Sequence, residues 1–357
     1  MDELPLKKAR YFKKLDDGVI QCNGCARHCS ISEGATGFCG VRYNNNGQLY
    51  LLNYGRTISM SIDPIEKKPL YHFFPGENIL SISSLGCNFN CSFCQNWDIS
   101  QFSRIKKAEI GAEKTRNLIR NAGYELSPEE IVDYCVEKDL KMIAYTYNEP
   151  AISLEYYLDV MRRARKKGIR NVWVTNGYWS SQSIDDICQN LDAANIDLKA
   201  FSEKFYKKHC RAKLSVVKDN ISEIFSRGIW IELTTLVIPD ENDSDEEITK
   251  LAEFIYNISP EIPLHLSKFH PAYRMLDKPV TPTKRLLRLR DICLEVGLKF
   301  VYVGNCAPSQ VSSDSLCPNC GTSLVNRDNY KGTVKGLKIK DHKALCKKCS
   351  AEFPGIF

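Results

Sequence analysis

Short apolar runs alternate with amphipathic stretches over most of the chain beyond residue 78. This alternation is typical of parallel strands joined by helical crossovers, so it predicts an α/β fold. Helix starts are predicted at Ser127-Pro128 and at Ser244-Asp245, where a glutamate follows the hydroxyl by three residues, and at Thr281-Pro282. The predicted strands are Ile79 to Ser84, Met142 to Thr146, Asn171 to Thr175, Ala194 to Leu198, Ile229 to Ile238, Leu264 to Phe269 and Lys299 to Val303.

Six or seven strand-helix units in series predict an open, partial barrel of about six strands, smaller than the closed eight-unit form. Segments of different character flank it. We therefore divide the chain into an amino-terminal four-cysteine segment (1–76), a partial (β/α)6 barrel (77–310) and a carboxyl-terminal module (311–357). In such sheets the active site lies at the carboxyl ends of the strands.

Polar residues follow several of the predicted strands. Singly, each has an ordinary structural explanation: Asn-Gly is a common turn, a glutamate before proline is often a cap, and a histidine before proline is often only packed. Their coincidence at successive strand ends favours a common site. The residues are Asn148 and Glu149 after the second strand, Thr175 and Asn176 after the third, Asp197 and Lys199 on the fourth, and His270 after the sixth.

Three cysteines with x3 and x2 spacing, Cys87, Cys91 and Cys94, follow the first predicted strand directly. A cubane [4Fe-4S] cluster takes four ligands, so three thiolates leave one iron open for a small chelating molecule. The alternative is a zinc loop that takes a fourth ligand from elsewhere, because a structural metal site normally closes its coordination sphere with protein ligands.

A second group of cysteines precedes the barrel in a segment rich in Gly, Asn and Ser, which we expect to bury no core of its own. Zinc and a second iron-sulfur cluster both accept four thiolates, and two disulfides are a further alternative. We leave the species undecided, with zinc slightly favoured. The four residues are Cys22, Cys25, Cys29 and Cys39.

Two C-x2-C knuckles near the carboxyl terminus, Cys317/Cys320 and Cys346/Cys349, predict a zinc ribbon in which four thiolates close a structural site. From Cys317 to Phe357 there are eight Lys or Arg residues against three Asp or Glu residues. Solvated lysines on a small module explain this excess better than a nucleic-acid surface.

Composition adds few constraints. The net charge of +6 is spread along the chain, and the 43% hydrophobic content is that of an ordinary globular protein. No stretch approaches the roughly 18 to 20 apolar residues that span a bilayer, and Met1 to Lys14 is too charged for a signal peptide. We expect a cytoplasmic protein without a membrane partner. Cys135, Cys188, Cys210 and Cys293 are expected to be ordinary core residues.

The cysteine spacing after the first strand resembles the signature of the radical S-adenosylmethionine (SAM) superfamily. Thr175-Asn176-Gly177, Asp197-Leu198-Lys199 and Phe269-His270-Pro271 resemble motifs of its glycyl-radical-enzyme activating branch, which includes the pyruvate formate-lyase activating enzyme. Ala144 to Pro150, Leu191 to Ala200 and Thr234 to Pro239, together with both flanking cysteine groups, resemble the radical SAM enzyme of the AmmeMemoRadiSam system.

The resemblance implies a [4Fe-4S] cluster on Cys87, Cys91 and Cys94 that cleaves SAM reductively to a 5'-deoxyadenosyl radical. It also implies a reductant such as ferredoxin or flavodoxin, and hydrogen abstraction from an unidentified, macromolecular substrate. A small metabolite modified together with Memo-like and AMMECR-like partners is the alternative, and a non-catalytic zinc or nucleic-acid-binding protein is a remote one. The SAM pocket would use Asn148, Glu149, Thr175, Asn176, Asp197, Lys199 and His270.

Overall fold

The computed structural model describes residues 6–340 and 343–357. It divides into a first unit, Met1–Ile62 with Leu80–Asp192, and a second unit, Asp63–Ile79 with Ala193–Phe357. The first five residues of the charged amino-terminal stretch lie outside the described residues. The three-segment division at residues 76 and 310 stays a prediction.

The first unit contains a parallel sheet preceded by short antiparallel strands. β9 and β12 pair in parallel with β11 on either side, and Ile143 of β11 is opposite Leu80 and Asn171. Its strands are β1 (Lys7–Lys8), β2 (Phe12–Lys14), β3 (Ile20–Cys22), β4 (Ser30–Ile31), β5 (Arg42–Asn45), β6 (Gln48–Leu51), β7 (Arg56–Thr57), β10 (Tyr124–Glu125), β11 (Met142–Tyr145) and β12 (Arg170–Thr175), while β8 (Ser59–Pro64) and β9 (Asn78–Ser83) have residues in both units.

Helices of the first unit follow the predicted amphipathic stretches. The capping box at Ser127 is confirmed, since its side chain accepts from the Glu130 amide and the Glu130 carboxylate accepts from the Ser127 amide. The helices are α1 (Trp97–Ser100), α2 (Phe102–Ile110), α3 (Ala112–Asn121), α4 (Pro128–Glu137), α5 (Leu154–Lys166) and α6 (Ile184–Cys188).

The amino-terminal segment has more structure than its composition indicates. Two three-stranded antiparallel sheets, β1-β6-β5 and β2-β3-β4, enclose a small apolar cluster. Ala9, Ile20, Cys22, Ile31 and Leu49 are all 5% exposed or less in this cluster. The expectation that the segment buries no core is therefore wrong, because its few apolar residues alternate on paired strands and face one another.

A buried ion pair holds this segment against α5. Arg42 on β5 donates to both carboxylate oxygens of Glu155 at 2.8 and 3.2 Å, and the Arg10 amide donates to the same carboxylate at 3.0 Å. Burial alone raises the pKa of Glu155, but Arg42 outweighs it and the pKa of this carboxyl lies below its usual range. The pair is therefore ionised and fixes the segment at neutral pH.

The second unit contains the other four parallel strands in the order β13-β14-β15-β16. All seven predicted strands are thus confirmed, with ends shifted by up to two residues. The elements are β13 (Ala193–Asp197), β14 (Trp230–Val237), β15 (Leu264–Lys268), β16 (Val301–Gly304), α7 (Glu203–Phe205), α8 (Leu214–Ser226), α9 (Asp245–Ile258) and α10 (Thr283–Val296).

Two predicted helix starts in the second unit have different outcomes. Ser244 caps α9 by accepting from the Glu247 amide. Thr281 does not cap α10, because its hydroxyl is used between loops: it donates to the Val237 carbonyl at 2.6 Å and accepts from the Phe269 amide at 3.0 Å. The Thr281 hydroxyl therefore makes tertiary contacts instead of the helix cap that the local pattern predicts.

The carboxyl-terminal module is built from two three-stranded antiparallel sheets, β17-β18-β19 and β20-β21-β22. Within the second unit it packs against the end of the parallel sheet through a cluster that includes Phe300, Tyr302, Leu324 and Phe353. Among the described residues, no helix is long and apolar enough to cross a membrane. Its strands are β17 (Ser315–Leu316), β18 (Ser323–Asp328), β19 (Lys331–Val334), β20 (Leu337–Lys340), β21 (Lys343–Cys346) and β22 (Glu352–Phe353).

Candidate active site

The loop that carries Cys87, Cys91 and Cys94, which we call the cluster loop (residues 85–94), begins just after β9. Cys87 and Cys91 are buried and Cys94 is half-buried. Gly86 has a φ of +97°, and a side chain there would lie 2.6 Å from the carbonyl oxygen of Cys39. Only glycine satisfies both the left-handed backbone and this close approach.

Five successive carbonyl groups of the cluster loop, Leu85 to Phe89, each accept a hydrogen bond from a side chain. The loop is buried and has no regular strand or helix partner, so its carbonyls need donors from elsewhere. Those donors are Asn53 for Leu85 (3.2 Å), Asn148 for Gly86 (2.8 Å), Arg104 for Cys87 (3.1 Å), Arg27 for Asn88, and both Arg104 and Gln101 for Phe89.

Two of these donors connect the cluster loop with the amino-terminal segment: Arg27 belongs to that segment, and Arg104 binds it. The guanidinium groups of Arg27 and Arg104 lie over the Phe38 ring, 3.5 and 4.5 Å from its centroid. Arg104 Nη1 also donates to the Phe38 carbonyl at 2.7 Å while it donates to Cys87. The amino-terminal segment therefore helps to hold the backbone that presents the thiols.

The sulfur atoms of the cluster loop are poised to ligate a metal group. The Phe89 amide donates to Cys87 Sγ at 3.3 Å, and Ser100 Oγ lies 3.1 Å from Cys94 Sγ. Burial raises the pKa of the Cys87 thiol, and the neighbouring Cys91 raises it further. A positively charged iron centre would offset that penalty, since metal ligation requires the thiolate.

The spacing of the three sulfurs fits a cluster better than a single ion. Within residues 6–340 and 343–357, the one group of three or more Cys, His, Asp or Glu ligand atoms that all lie within 4.8 Å of one another is in the carboxyl-terminal module. At least one of the sulfur-sulfur separations among the three thiols of the cluster loop therefore exceeds 4.8 Å, which is compatible with an iron-sulfide core. The residues present therefore fit a [4Fe-4S] group.

Glu149, Thr175 and Asn176 form one hydrogen-bonded group in the first unit. The Glu149 carboxylate accepts from the Thr175 hydroxyl at 2.9 Å, from the Asn176 amide at 2.8 Å and from the Ala151 amide at 3.1 Å. Burial raises the pKa of Glu149 to about 7, although these hydrogen bonds lower it. Asn176 also donates to Asn88 Oδ1 at 2.7 Å, which links the group to the cluster loop.

Asn148 joins Ser84, the residue before the cluster loop, to Gly86 within the loop. Its Oδ1 accepts from the Ser84 amide at 3.3 Å, and its Nδ2 donates to the Gly86 carbonyl at 2.8 Å and to Ser84 Oγ at 3.3 Å. It is 7% exposed. Asn148 therefore positions the loop, and the expected contact with a cofactor stays a prediction.

The remaining pocket residues belong to the second unit. Lys199 Nζ donates to Asp197 Oδ2 at 2.9 Å, and the Lys199 amide donates to the Tyr206 hydroxyl at 3.1 Å. The Asp197 side chain is 33% exposed. His270 is exposed, in the turn after β15. Their assignment to a cofactor pocket stays a prediction.

The carboxyl-terminal cysteines, Cys317, Cys320, Cys346 and Cys349, which we call the ribbon quartet, form a compact group. Cys317 Sγ lies 3.6 Å from Cys349 Sγ, and Cys320 Sγ lies 3.7 Å from Cys346 Sγ. A tetrahedral ion with metal-sulfur bonds of about 2.3 Å separates its sulfurs by about 3.8 Å. A single tetrahedral ion therefore fits this group.

The amino-terminal quartet, Cys22, Cys25, Cys29 and Cys39, contains no disulfide. All 16 cysteines of the chain lie among the described residues, and none of them forms a disulfide. Cys22 and Cys39 are buried, and Cys25 and Cys29 are half-buried. The disulfide alternative is wrong because no two of these sulfurs are within bonding distance.

Comparison with known proteins places the chain in a family. The Radical SAM superfamily matches residues 81–252. An uncharacterized protein of Methanocaldococcus jannaschii is 39% identical over 345 residues, which cover 96% of this chain and 98% of that protein. A radical SAM methyltransferase structure from Sphaerobacter thermophilus has 16% identity and a TM-score of 0.49, over 84% of this chain and 76% of its own. The chain belongs to the radical SAM superfamily.

Within the superfamily, the chain is homologous to activating enzymes. The pyruvate formate-lyase-activating enzyme of Clostridium pasteurianum is 23% identical over 186 residues, which cover 52% of this chain and 72% of that enzyme. The chain is thus an enzyme whose family uses a [4Fe-4S] cluster and SAM. The expected α/β class and the resemblance to this branch are confirmed.

Sequence patterns missed the residues that hold the cluster loop. These residues belong to no sequence motif: Arg27, Asn53, Gln101 and Arg104. They donate hydrogen bonds to backbone carbonyls, and no pattern of side chains reveals such contacts. Asn88 lies inside the cysteine motif, and its polar position beside Cys87 was the one available signal. Its Oδ1 accepts from Asn176, and its carbonyl accepts from Arg27.

Replacing Asn148 by alanine removes two hydrogen bonds to Ser84, just before the cluster loop, and one to Gly86 within it. We expect Asn148→Ala to lower the free energy of unfolding by about 1–3 kcal/mol, because buried backbone groups lose their partners. Iron release from the reconstituted protein to a chelator should also become faster. Denaturant titration and the absorbance of the iron-chelator complex measure the two effects.

Asn190→Ala is the matched control. Asn190 is also 7% exposed and donates to a backbone carbonyl, that of Asp186, at 2.8 Å, but it is not part of the cluster loop. It should lose stability and leave iron release at the wild-type rate. Equal acceleration of iron release in both variants would contradict the assigned role of Asn148.

Proposed function

We propose that this enzyme binds SAM at a cluster on Cys87, Cys91 and Cys94 and cleaves it reductively. The observation that carries the proposal is the cluster loop, with three buried or half-buried thiols and five successive carbonyls each held by a side chain. When bound, the [4Fe-4S] group supplies an electron to the SAM sulfonium, which gives methionine and a 5'-deoxyadenosyl radical.

The chain's own residues bind and orient SAM and the cluster loop, and they exclude water from the site. Asn148 and Asn176 hold the cluster loop from the ends of neighbouring strands, and Glu149 fixes Thr175 and the Asn176 amide. Asp197, Lys199 and His270 provide a carboxylate, a cation and a ring nitrogen, which suit the hydroxyl, carboxylate and ammonium groups of SAM. The burial of Cys87, Cys91 and Phe93 supports a site protected from bulk water.

The hydrogen donor that we propose is a macromolecule, by analogy with the activating enzymes. The relative from Clostridium pasteurianum is by its name an enzyme that activates another enzyme. A small metabolite, modified with Memo-like and AMMECR-like proteins, is the competing substrate. A cytoplasmic location and a ferredoxin or flavodoxin as reductant complete the proposal, because the cluster needs a reducing environment and a one-electron donor.

Replacing all three cysteines of the cluster loop tests SAM cleavage. After anaerobic reconstitution with iron and sulfide, the wild-type enzyme with dithionite should convert SAM to methionine and 5'-deoxyadenosine, measured by chromatography and mass spectrometry. The C87A/C91A/C94A variant should form neither product. C188A removes a cysteine outside all three groups and should retain the activity. Product formation by the triple variant would refute the assignment.

Deuterium transfer distinguishes the two substrate classes. Candidate partner proteins, including Memo-like and AMMECR-like ones, are expressed in deuterated medium and incubated with the reduced enzyme and unlabelled SAM. We expect deuterium in 5'-deoxyadenosine when a labelled protein is present. If 5'-deoxyadenosine acquires deuterium only from a deuterated metabolite extract that contains no protein, the substrate is a small molecule and the macromolecular proposal is wrong.

We also propose that the ribbon quartet holds one zinc ion. The sulfur separations of 3.6 and 3.7 Å support a single tetrahedral ion. Zinc should contribute on the order of 10 kcal/mol to the folding of this module. Anomalous diffraction should give a signal at the zinc edge between the four sulfurs and none at the iron edge, and an iron signal there would overturn the proposal.

A further inference from the structure

We propose that the amino-terminal quartet ligates an iron-sulfur cluster, which relays electrons to the cluster on the cluster loop. The first half, an iron-sulfur site, stands independently of SAM cleavage. The second half, the relay, rests on the proposed function.

The separation of the sulfurs distinguishes the two kinds of metal site. Cys22, Cys29 and Cys39 all lie within electrostatic range of Cys25, so the quartet is one group. Yet among the residues that the structure describes, only the ribbon quartet draws its sulfurs within 4.8 Å of one another. Zinc would require six sulfur-sulfur separations of about 3.8 Å. The quartet shares its wider spacing with the cluster loop, whose thiols the family assigns to an iron-sulfur cluster.

The backbone around the quartet is arranged as it is around a metal-thiolate group. Amides of Gly24, Arg27 and Phe38 donate to the thiols of Cys22, Cys25 and Cys29, respectively. The Cys22 amide donates to the Cys29 carbonyl at 2.9 Å, which ties the two ends of the group together. Hydrogen bonds to cluster sulfurs are one of the features that set the potential of an iron-sulfur centre. Four thiolates complete the ligand set of either a [2Fe-2S] or a [4Fe-4S] cluster.

A direct contact joins the quartet to the cluster loop. Arg104 Nη1 donates to the carbonyl of Phe38, the residue before Cys39, at 2.7 Å and to the carbonyl of Cys87 at 3.1 Å. One nitrogen atom thus connects a neighbour of a quartet ligand with a ligand of the SAM cluster. The absent side chain of Gly86 lets the Cys39 carbonyl approach the same loop. This short path through hydrogen bonds suits electron transfer.

The electron balance needs an external donor of the ferredoxin or flavodoxin class. That donor loses one electron to the quartet cluster, which passes it to the cluster on Cys87, Cys91 and Cys94, where SAM cleavage consumes it. Each group has half-buried thiols, Cys25 and Cys29 in the quartet and Cys94 in the cluster loop, so the quartet offers a carrier protein an entry point of its own. The positive charges of Arg27 and Arg104 favour the reduced form of both centres.

The C87A/C91A/C94A variant isolates the quartet. After anaerobic reconstitution it should retain the iron and acid-labile sulfide of one cluster, with an electron paramagnetic resonance signal that SAM does not change. Iron-edge anomalous scattering from wild-type crystals should place a second iron site between the quartet sulfurs. Zinc at the quartet, with no cluster in the triple variant, would overturn the inference whether or not the wild type cleaves SAM.

The C22A/C25A variant tests the relay. SAM cleavage driven by a reduced flavodoxin should fall by about an order of magnitude more than cleavage driven by dithionite, because only the protein carrier needs the quartet as its entry point. C188A should show no such difference, and circular dichroism checks that both variants are folded. An equal loss of SAM cleavage with both reductants would overturn the relay. The iron-sulfur assignment of the quartet would then still be decided by the triple variant and the anomalous scattering.

Discussion

The structure depends on one constraint: a buried, irregular loop must present three thiols while its own carbonyls remain hydrogen-bonded. An unpaired buried carbonyl costs about as much as a lost hydrogen bond, and five occur in succession here. Regular pairing cannot serve them, since the loop must curve around its ligand. Side chains supply every donor, and three of the five carbonyls accept from Arg27, which belongs to the amino-terminal segment, or from Arg104, which binds it. The fold around the site follows from that requirement.

Local signals predicted most of the fold. The seven parallel strands are largely buried and rich in apolar residues, and such runs are visible without any knowledge of tertiary contacts. Ser127 and Ser244 cap their helices because a cap is decided within four residues. Thr281 failed as a cap because its hydroxyl finds the Val237 carbonyl, 44 residues away, and no local pattern carries that information.

The same distinction between local signals and contacts across distant parts of the sequence explains which features of the site could be predicted. The cysteine spacing is local and indicated a cluster, and the carboxyl ends of the strands indicated where polar groups would gather. The hydrogen-bond partners of those polar groups could not be predicted. Asn148 was expected to contact a cofactor, but its amide holds the backbone of the cluster loop, 62 residues away in the sequence. Arg27 and Arg104 act across 61 and 17 residues, through carbonyls that every residue possesses.

Cysteine spacing alone does not determine which metal group a site holds. The ribbon quartet and the amino-terminal quartet both contain a C-x2-C pair, yet only the ribbon draws its sulfurs to the separation of a single ion. In the ribbon, paired antiparallel strands carry Cys346 and lie next to the other ligands, so their hydrogen bonds fix the knuckles close together. In the amino-terminal segment, Cys25 and Cys29 lie in the irregular connection between β3 and β4. On the proposed assignments, the scaffold around the thiols, rather than their order in the chain, selects between an ion and a cluster.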